Sequence, residues 1–340
     1  MGGNNDNKEG HQTVLLEEGV ECLNIQNGDL VVDATLGVGG HTLKILEKIG
    51  EVGVVVAIDL DKNAIDDFIK NQNVSVDSVG DGIWRCFGGR LLLVNDNFNN
   101  IKKIVKRLYL SGDLPRNKVK AVLADLGWRI EQVENDFYGM SFRKEMPLLM
   151  RMDGRQTGLT ARVIINDWKL DELEVVFSEL GGEPRWLAKE IAKTVVSKRK
   201  EGDIKTTLQL AKLVEEVKLR KGVRGEKIHP ATKVFQALRI VVNEELSNLR
   251  IFLKEALDVL ENEGRLAVIS FHSLEDRLIK DFFRTKTRGC VCSKEIPVCC
   301  CGQKREVKII SAKGIKPGLA ELEKNRRART AKLRVIEKQK

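Results

Sequence analysis

The stretch VVDATLGVGGH, residues 31–41, decides the fold of this 340-residue chain. It begins as a short apolar strand, reaches Asp33, and turns through Gly37, Gly39 and Gly40. The next residues, HTLKILEKIG, place their apolar side chains on one side of a helix that stops at a glycine. A strand, a glycine-rich turn and a helix in this order bring the backbone close to a small ligand.

Further apolar runs predict the rest of a sheet. The runs VGVVVAIDLD, RLLLVNDNF and KAVLADLGW follow within the first 128 residues, and RLAVISF and KLRVIE come much later. Strands this continuously apolar are typical of a doubly wound, parallel α/β sheet covered by helices on both faces. Residues 129–228 read as polar loops and amphipathic helices, and a long helix is predicted over Pro230–Asn262. We therefore expect a core of residues 1–128 and 229–340 and an inserted helical, substrate-binding domain of residues 129–228.

The charge balance favours a polyanionic partner. Fifty-eight Lys and Arg outweigh 49 Asp and Glu, for a net charge of +9, and such an excess assists phosphate binding. A basic soluble enzyme without such a partner accounts for the charge equally well. The first ten residues are polar and the chain lacks an apolar run long enough for a membrane span, so we expect a cytoplasmic protein with no membrane partner.

The glycine turn is an imperfect dinucleotide fingerprint. Thr42 stands where the third fingerprint glycine belongs, and Asp33 brings a negative charge that would repel a pyrophosphate and attract a sulfonium or ammonium group. S-adenosylmethionine has that cationic character, and Asp59, about 20 residues on, is placed to accept its ribose hydroxyls. The alternative is that the glycines only make a tight turn and Asp33 caps the segment after it.

A fourth strand ends in ADLGW, which places Asp125 and Trp128 beyond the carboxyl end of the sheet, where ligands bind. An acceptor followed by an aromatic ring suits methylation of a base amino group, because the acceptor orients the amino group and the ring stacks on the base. A loop cap and a packing residue explain the pair equally well. Methylation at a ring carbon requires a cysteine nucleophile, and the only cysteine near a predicted strand end of the core is Cys22, which precedes the first strand, so direct transfer to nitrogen or oxygen is favoured.

Longer blocks carry a resemblance to a known family. HQTVLLEEGVECLNI, VVDATLGVGGHT, VVAIDLDKNAI, LADLG, HPATKVFQALRIVVNEEL, GRLAVISFHSLEDRLIKDFF and RRARTAKLRVIEK occur in this order over nearly the whole chain. In these blocks the sequence resembles the bacterial 16S rRNA (cytosine-N4)-methyltransferase family of the MraW type. The resemblance implies a class I, Rossmann-like S-adenosylmethionine-dependent methyltransferase sheet with an inserted helical domain.

The same resemblance implies a function and a set of cofactor contacts. The expected reaction is direct methylation, without a covalent intermediate, of the exocyclic N4 of one cytidine in the decoding centre of 16S rRNA in the small ribosomal subunit. The S-adenosylmethionine contacts implied by the family pattern are Gly39, Gly40, His41, Asp59, Phe98, Asp125 and Gln132.

Departures from the family pattern keep two alternatives open. Trp128 and Arg129 replace two small hydroxyl residues, and Leu149 stands where the family usually has Asp. These changes lie on the expected substrate side and motivate a non-catalytic rRNA-binding relative as one alternative. An NAD-dependent oxidoreductase is the other, which Asp33 and the missing third glycine oppose.

Candidate catalytic residues lie at the end of the late strand, in SFHSLEDR. His272 and Ser273 are the candidates, since a neutral imidazole near pH 7 accepts protons. A histidine that merely caps the turn is an equal alternative.

Five of the seven cysteines crowd into residues 289–302. Cys290, Cys292, Cys299 and Cys301 have a spacing that closes a structural zinc site, and a cluster of reduced thiols is the alternative. The basic segments SKRKEGDIK, KLRKGVRGEK and NRRARTAKLR are the predicted RNA-binding surface. A homodimer is compatible with the sequence.

Overall fold

The computed structural model describes residues 13–128, 132, 135, 138–153, 158–225, 228–289, 292, 298 and 304–340. The chain divides into two compact units, of which the first combines residues 1–127 with residues 248–340 and the second consists of residues 128–247. Within the described residues, no helix has both the length and the apolar character needed to cross a membrane.

A nine-stranded sheet, counted over the described part of the chain, forms the centre of the first unit. Its strands are β1 Leu30–Asp33, β2 Val54–Asp59, β3 Asp77–Gly80, β4 Ile83–Cys86, β5 Leu91–Asn95, β6 Val119–Asp125, β7 Leu260–Ser270, β8 Val307–Ile309 and β9 Lys332–Lys338. The strand order is β3-β4-β5-β2-β1-β6-β7-β9-β8. The central strands β5, β2, β1, β6 and β7 pair in parallel.

Helices cover both faces of this sheet, as predicted. Early in the chain they are α1 Leu16–Cys22, α2 Gly40–Lys48, α3 Lys62–Gln72 and α4 Ile101–Leu110. Later in the chain they are the helix Glu245–Val259, except for its first three residues, and the helices Ser273–Thr287 and Leu319–Lys324. On one face Ile45 and Ile65 join the core, and on the other face Ile104 and Phe252 do so. Buried on both sides, the central strands have no polar face, which is why their sequences are continuous apolar runs.

The order of the strands reverses beside β1. From β1 the chain crosses through α2 to β2 on one side, whereas β6 pairs with the opposite side of β1. Ligands of doubly wound sheets bind at such a switch point, beyond the carboxyl ends of the strands. A ligand-binding site is therefore expected at the residues after β1 and at the end of β6.

The edges of the sheet differ from the parallel arrangement expected from the sequence. β3 and β4 form an antiparallel hairpin, and β4 pairs antiparallel with β5. At the other edge β9 runs antiparallel to both β7 and β8. The sheet is therefore mixed, with antiparallel strands at both edges of a parallel centre.

The second unit is helical. Its helices are α5 Ala161–Asp167, α6 Leu170–Val175, α7 Arg185–Lys198, α8 Thr207–Arg220 and α9 Thr232–Val242, and a π-helical turn, Val176–Leu180, follows α6. Thr206 caps α8 in a reciprocal pair with Gln209, as its sequence indicates. Ile191, Val214 and Leu238 belong to a core of its own.

The long helix predicted over Pro230–Asn262 is two helices, α9 and α10 Glu245–Val259. Glu244 between them adopts φ 50, a left-handed conformation that does not continue a right-handed helix. Because α9 packs into the core of the helical unit, the second boundary lies between Ser247 and Asn248, rather than between residues 228 and 229. The helices that follow are α11 Ser273–Thr287 and α12 Leu319–Lys324.

Candidate active site

The glycine turn after β1 is closely packed against its neighbours. Gly37 donates its N–H to the carboxylate of Asp59 at the end of β2, with 2.9 Å between the atoms. Gly39 has φ 87, and a Cβ there would lie 2.2 Å from the ring of Phe68. A Cβ on Gly40 would lie 2.0 Å from the hydroxyl of Thr13. Space and backbone conformation both require glycine at position 39, whereas at position 40 space alone does so.

Asp33 stabilises the turn from inside. Its side chain is fully buried, one carboxylate oxygen accepts a 2.6 Å hydrogen bond from the Thr42 hydroxyl, and the other accepts the Thr35 N–H at 3.2 Å. These contacts agree with the alternative in which Asp33 caps the segment that follows it. Burial raises the pKa of Asp33 from 3.8 to about 7, although both hydrogen bonds act in the opposite direction.

This raised pKa predicts a pH dependence of stability. Between about pH 4 and pH 7 the folded Asp33 keeps a proton that the unfolded chain has lost, so its contribution to the free energy of unfolding falls as pH rises. Three pKa units correspond to about 4 kcal/mol. We expect the isosteric D33N variant to lack this loss, measured by urea unfolding of both proteins at pH 4.5 and pH 8.

His41 contributes with the opposite sign, since its pKa is lowered from 6.5 to about 4 and its stabilisation grows as pH rises through that window. His41 is present in both proteins, so it cancels in the difference between wild type and D33N. Equal pH slopes for the two proteins would contradict the expected role of Asp33.

His41, the second residue of α2, faces Asp125 at the end of β6. Its side chain is buried, its Nδ1 lies 3.9 Å from Asp125 Oδ2, and burial lowers its pKa, which makes it neutral at pH 7. Among the described residues, Asp125 Oδ1 has no hydrogen-bond partner, whereas the backbone of Leu15 interacts with the His41 ring. Buried polar atoms without partners are costly, and they mark groups to which a ligand binds.

Asp125 is fixed by its backbone and surrounded by acids. Its N–H donates to the Thr35 hydroxyl at 2.7 Å, which joins the ends of β1 and β6. Burial raises the pKa of Asp125 well above its usual range, and the negative charges of Asp33, Glu275 and Glu321 add to this effect. A cation bound beside Asp125 would relieve that repulsion, whereas a pyrophosphate would add to it.

Asp59 and Phe98 frame the neighbouring strand ends. Asp59 also accepts the N–H of Asp61 at 2.9 Å, which holds its carboxylate at the end of β2. Phe98 is half-buried in the turn after β5 and meets the ring of Phe252 edge-on, with 5.0 Å between centroids. The structure therefore places six predicted residues after the carboxyl ends of the adjacent strands β5, β2, β1 and β6: Gly39, Gly40, His41, Asp59, Phe98 and Asp125.

His272 is the N-cap of α11. Its Nδ1 accepts the N–H of Glu275 at 3.4 Å, and the Glu275 carboxylate in turn accepts the N–H groups of Phe271 and His272. Its Nε2 lies 3.1 Å from Glu275 Oε1. The capping alternative accounts for these contacts, Ser273 beside it is exposed, and their catalytic assignment stays a prediction.

The remaining predicted positions are two residues of the second unit, one described cysteine of the first unit, and positions outside the described residues. Trp128 lies under the guanidinium of Arg239, with 5.8 Å from Cζ to the ring centroid, and Gln132 is buried. Arg129 lies outside the described residues. So do three of the four candidate zinc ligands, Cys290, Cys299 and Cys301, while Cys292 is half-exposed. The zinc site stays a prediction.

Comparison with known proteins identifies the family. The family model described as the MraW methylase family matches residues 8–339. The chain belongs to the MraW methylase family. As a member it has the Rossmann-like class I methyltransferase fold expected from the sequence, with an inserted helical unit.

Curated relatives of this MraW methylase cover almost its whole length. They are proteins of Carboxydothermus hydrogenoformans (43% identical, 96% of this chain and 97% of that protein), Brevibacillus brevis (42%, 96% and 98%) and Halothermothrix orenii (40%, 96% and 98%). Each bears the name ribosomal RNA small subunit methyltransferase H.

Sequence reasoning missed three groups at the site. Thr35 and Thr42 bind Asp125 and Asp33 through their hydroxyls, and Glu321 contributes its charge from α12. Thr35 lies in the glycine turn after β1, and Thr42, which follows His41, was noted only as a missing glycine. Nothing near Glu321 in the sequence points to this site.

Proposed function

We propose that this MraW methylase transfers a methyl group from S-adenosylmethionine to the exocyclic N4 of a cytidine in the decoding centre of 16S rRNA, without a covalent intermediate. The observation that carries the proposal is the glycine turn with its acidic surroundings. Asp33, Asp59 and Asp125 stand at three strand ends beside a neutral His41. That environment favours a cationic ligand over a pyrophosphate, which supports S-adenosylmethionine over NAD.

The residues present fit this cofactor. Gly39 and Gly40 allow the turn to pack tightly against Phe68 and Thr13, and Asp59 is a carboxylate acceptor at the position typical of ribose recognition. Asp125 Oδ1 is a buried carboxylate oxygen without a hydrogen-bond partner among the described residues. Phe98 and Gln132 complete the proposed set. When bound, S-adenosylmethionine supplies a methyl group activated by its sulfonium charge.

The protein's part in the reaction is then binding, orientation and proton removal. Direct displacement needs the attacking nitrogen in line with the methyl group, so the contribution of the protein is positional. The nitrogen loses a proton in the reaction, and His272 at the start of α11, with Ser273 beside it, is the proposed acceptor. To accept the proton, its Nδ1 would release the Glu275 N–H that it binds. The carboxylate of Glu275 next to His272 Nε2 would stabilise the imidazolium that forms.

The surface of the helical unit supports RNA as the substrate. Exposed cations line α7, α8 and the turns after them, and the chief ones are Arg185, Lys189, Lys200, Lys205, Lys212, Lys221 and Arg224. Trp186, at the start of α7, is 53% exposed, and exposed aromatic rings between cations stack on unpaired bases. Two predicted RNA contacts near the C-terminus have another role, because Lys332 and Arg334 both bind Asp276.

The proposal is tested by transfer of labelled methyl groups to small ribosomal subunits that lack the modification, followed by nucleoside analysis of the RNA. We expect N4-methylcytidine at a single site, and no incorporation into subunits that are already modified. Methylation at the ring carbon, or NAD binding in place of S-adenosylmethionine, would overturn the reaction proposed. Tight S-adenosylmethionine binding with no product on any subunit preparation would favour the non-catalytic rRNA-binding relative.

A further inference from the structure

A glutamate near the C-terminus reaches the first helix of the chain. Glu321 of α12 accepts the backbone N–H of Leu15 through Oε1 at 2.8 Å, across 306 positions of sequence. Leu15 immediately precedes α1 and is fully buried. A buried backbone N–H requires a partner, and at this position the partner is a carboxylate rather than water or another backbone group.

Leu15 needs that support because its backbone is strained. It adopts φ 51 and ψ 41, the left-handed region that a branched, non-glycine residue rarely occupies. Such a conformation persists only where surrounding contacts determine it. Two backbone contacts do so: Glu321 binds the N–H of Leu15, and the Leu15 carbonyl accepts the N–H of Gly19 at 2.8 Å, which starts α1.

The first turn of α1 packs against the buried side chain of His41. A Cβ on Gly19 would lie 3.2 Å from His41 Nε2, so the helix backbone lies directly against the ring. The backbone of Leu15 also interacts with His41 and favours its protonated form, against the effect of burial. On its other side the ring is 3.9 Å from Asp125. Contacts therefore run from Glu321 through Leu15 to His41 and Asp125.

We propose that Glu321 is a positioning residue of the cofactor site: by binding the Leu15 N–H it fixes the start of α1 and thereby the orientation of the His41 imidazole beside Asp125. This inference rests on the proposed function, because it assigns Glu321 to the S-adenosylmethionine site. Glu321 itself touches neither substrate nor reacting atoms in this scheme. Its removal should weaken cofactor binding far more than it slows the chemical step.

The test compares E321L, E321Q and a matched control in the full chain. Leucine removes the acceptor, glutamine keeps a neutral acceptor, and E323L makes the same change at an exposed glutamate of the same helix. We expect the Kd and KM for S-adenosylmethionine to rise about 10-fold in E321L, the size expected for an unsatisfied buried N–H. In E321L kcat should change less than about twofold, since the reacting groups stay in place. E321Q should restore most of the affinity, and E323L should match wild type.

A spectroscopic measurement separates positioning from general destabilisation. The ring ¹⁵N chemical shifts of His41 report its tautomer and hydrogen bonding, and we expect them to move in E321L and to return towards wild type in E321Q. If E321L does not fold, E321Q decides: its neutral acceptor should still shift the His41 signals and weaken binding about twofold. Wild-type shifts and wild-type Kd in the folded Glu321 variants would overturn the inference.

The two proposals fail in different ways. If wild type does not bind S-adenosylmethionine, the proposed function is wrong, whatever the variants do. If wild type binds it and E321L binds equally well with unchanged His41 signals, only the role of Glu321 is wrong. An equal loss of S-adenosylmethionine affinity in E321L and E323L would likewise reject a specific role for Glu321.

Discussion

Alanine at position 39 is expected to abolish S-adenosylmethionine binding under assay conditions. Gly39 has φ 87, and a Cβ there would stand 2.2 and 2.3 Å from two ring atoms of Phe68. Phe68 is itself buried in the core on the face of the sheet that is covered by α2 and α3. The turn must therefore move rather than the ring. A displacement of about 1 Å at a ligand-binding turn lowers function on the order of 100-fold. Isothermal titration of G39A with S-adenosylmethionine measures the effect.

The matched control is G89A. Gly89 has φ 91, close to that of Gly39, but nothing lies within 4 Å of a Cβ at that position. This variant has the left-handed strain, about 1–2 kcal/mol, without the clash, and its Kd should stay near wild type. In G39A, the second change F68L should recover part of the binding by making room. Wild-type affinity in G39A alone would show that the turn does not form the site.

The variant K218M is expected to destabilise the helical unit by about 3 kcal/mol. Lys218 of α8 is 1% exposed and its Nζ lies 2.6 Å from Oε1 of the fully buried Glu183. Lys233 stands 3.7 Å from the other carboxylate oxygen. Methionine matches the length of lysine but leaves Glu183 as a buried charge with one distant cation, and removing one member of a buried pair is costly for this reason.

Two further variants test whether the loss of stability comes from the buried pair of Lys218 and Glu183. In the double variant E183Q/K218M the buried charge is gone, so much of the lost stability should return. K221M breaks the exposed pair of Lys221 with Glu190, 2.7 Å apart near the end of the same helix, and should change stability by less than about 1 kcal/mol. Hydrogen exchange of amides in α7 and α8 measures the unit by itself. Equal protection in K218M and K221M would contradict the argument.

Much of the fold was predictable because its central strands are buried on both faces. β1, β2, β5, β6 and β9 lie in the apolar runs identified from sequence, and so does β7 from Arg265 onward, whereas its first residues fall in the predicted helix. β3, with the sequence DSVG, is exposed along its whole length and carries no apolar pattern that could have revealed it. The break at Glu244 was also hidden, because apolar residues keep a helical spacing across it and only the backbone conformation changes.

The candidate site was predictable where its residues lie at strand ends, and less so where its contacts are distant in sequence. The glycine turn, Asp59 and Asp125 follow directly from the strand positions. The charge of Asp33 was expected to face a ligand, whereas its two carboxylate oxygens bind Thr42 and Thr35. The contact of Glu321 with Leu15 joins opposite ends of the chain, and no local pattern encodes such a contact.

The position of β9 has a consequence for the order in which the protein folds during synthesis. This strand is the last in the described chain, yet it lies inside the sheet, between β7 and β8. Until residues 332–338 have left the ribosome, β7 presents an unpaired edge to other chains. The helical unit is one continuous segment with its own core, so it can fold first, while the discontinuous sheet unit waits for its final strand. The nascent chain is therefore most exposed to aggregation late in translation, after the helical unit is already folded.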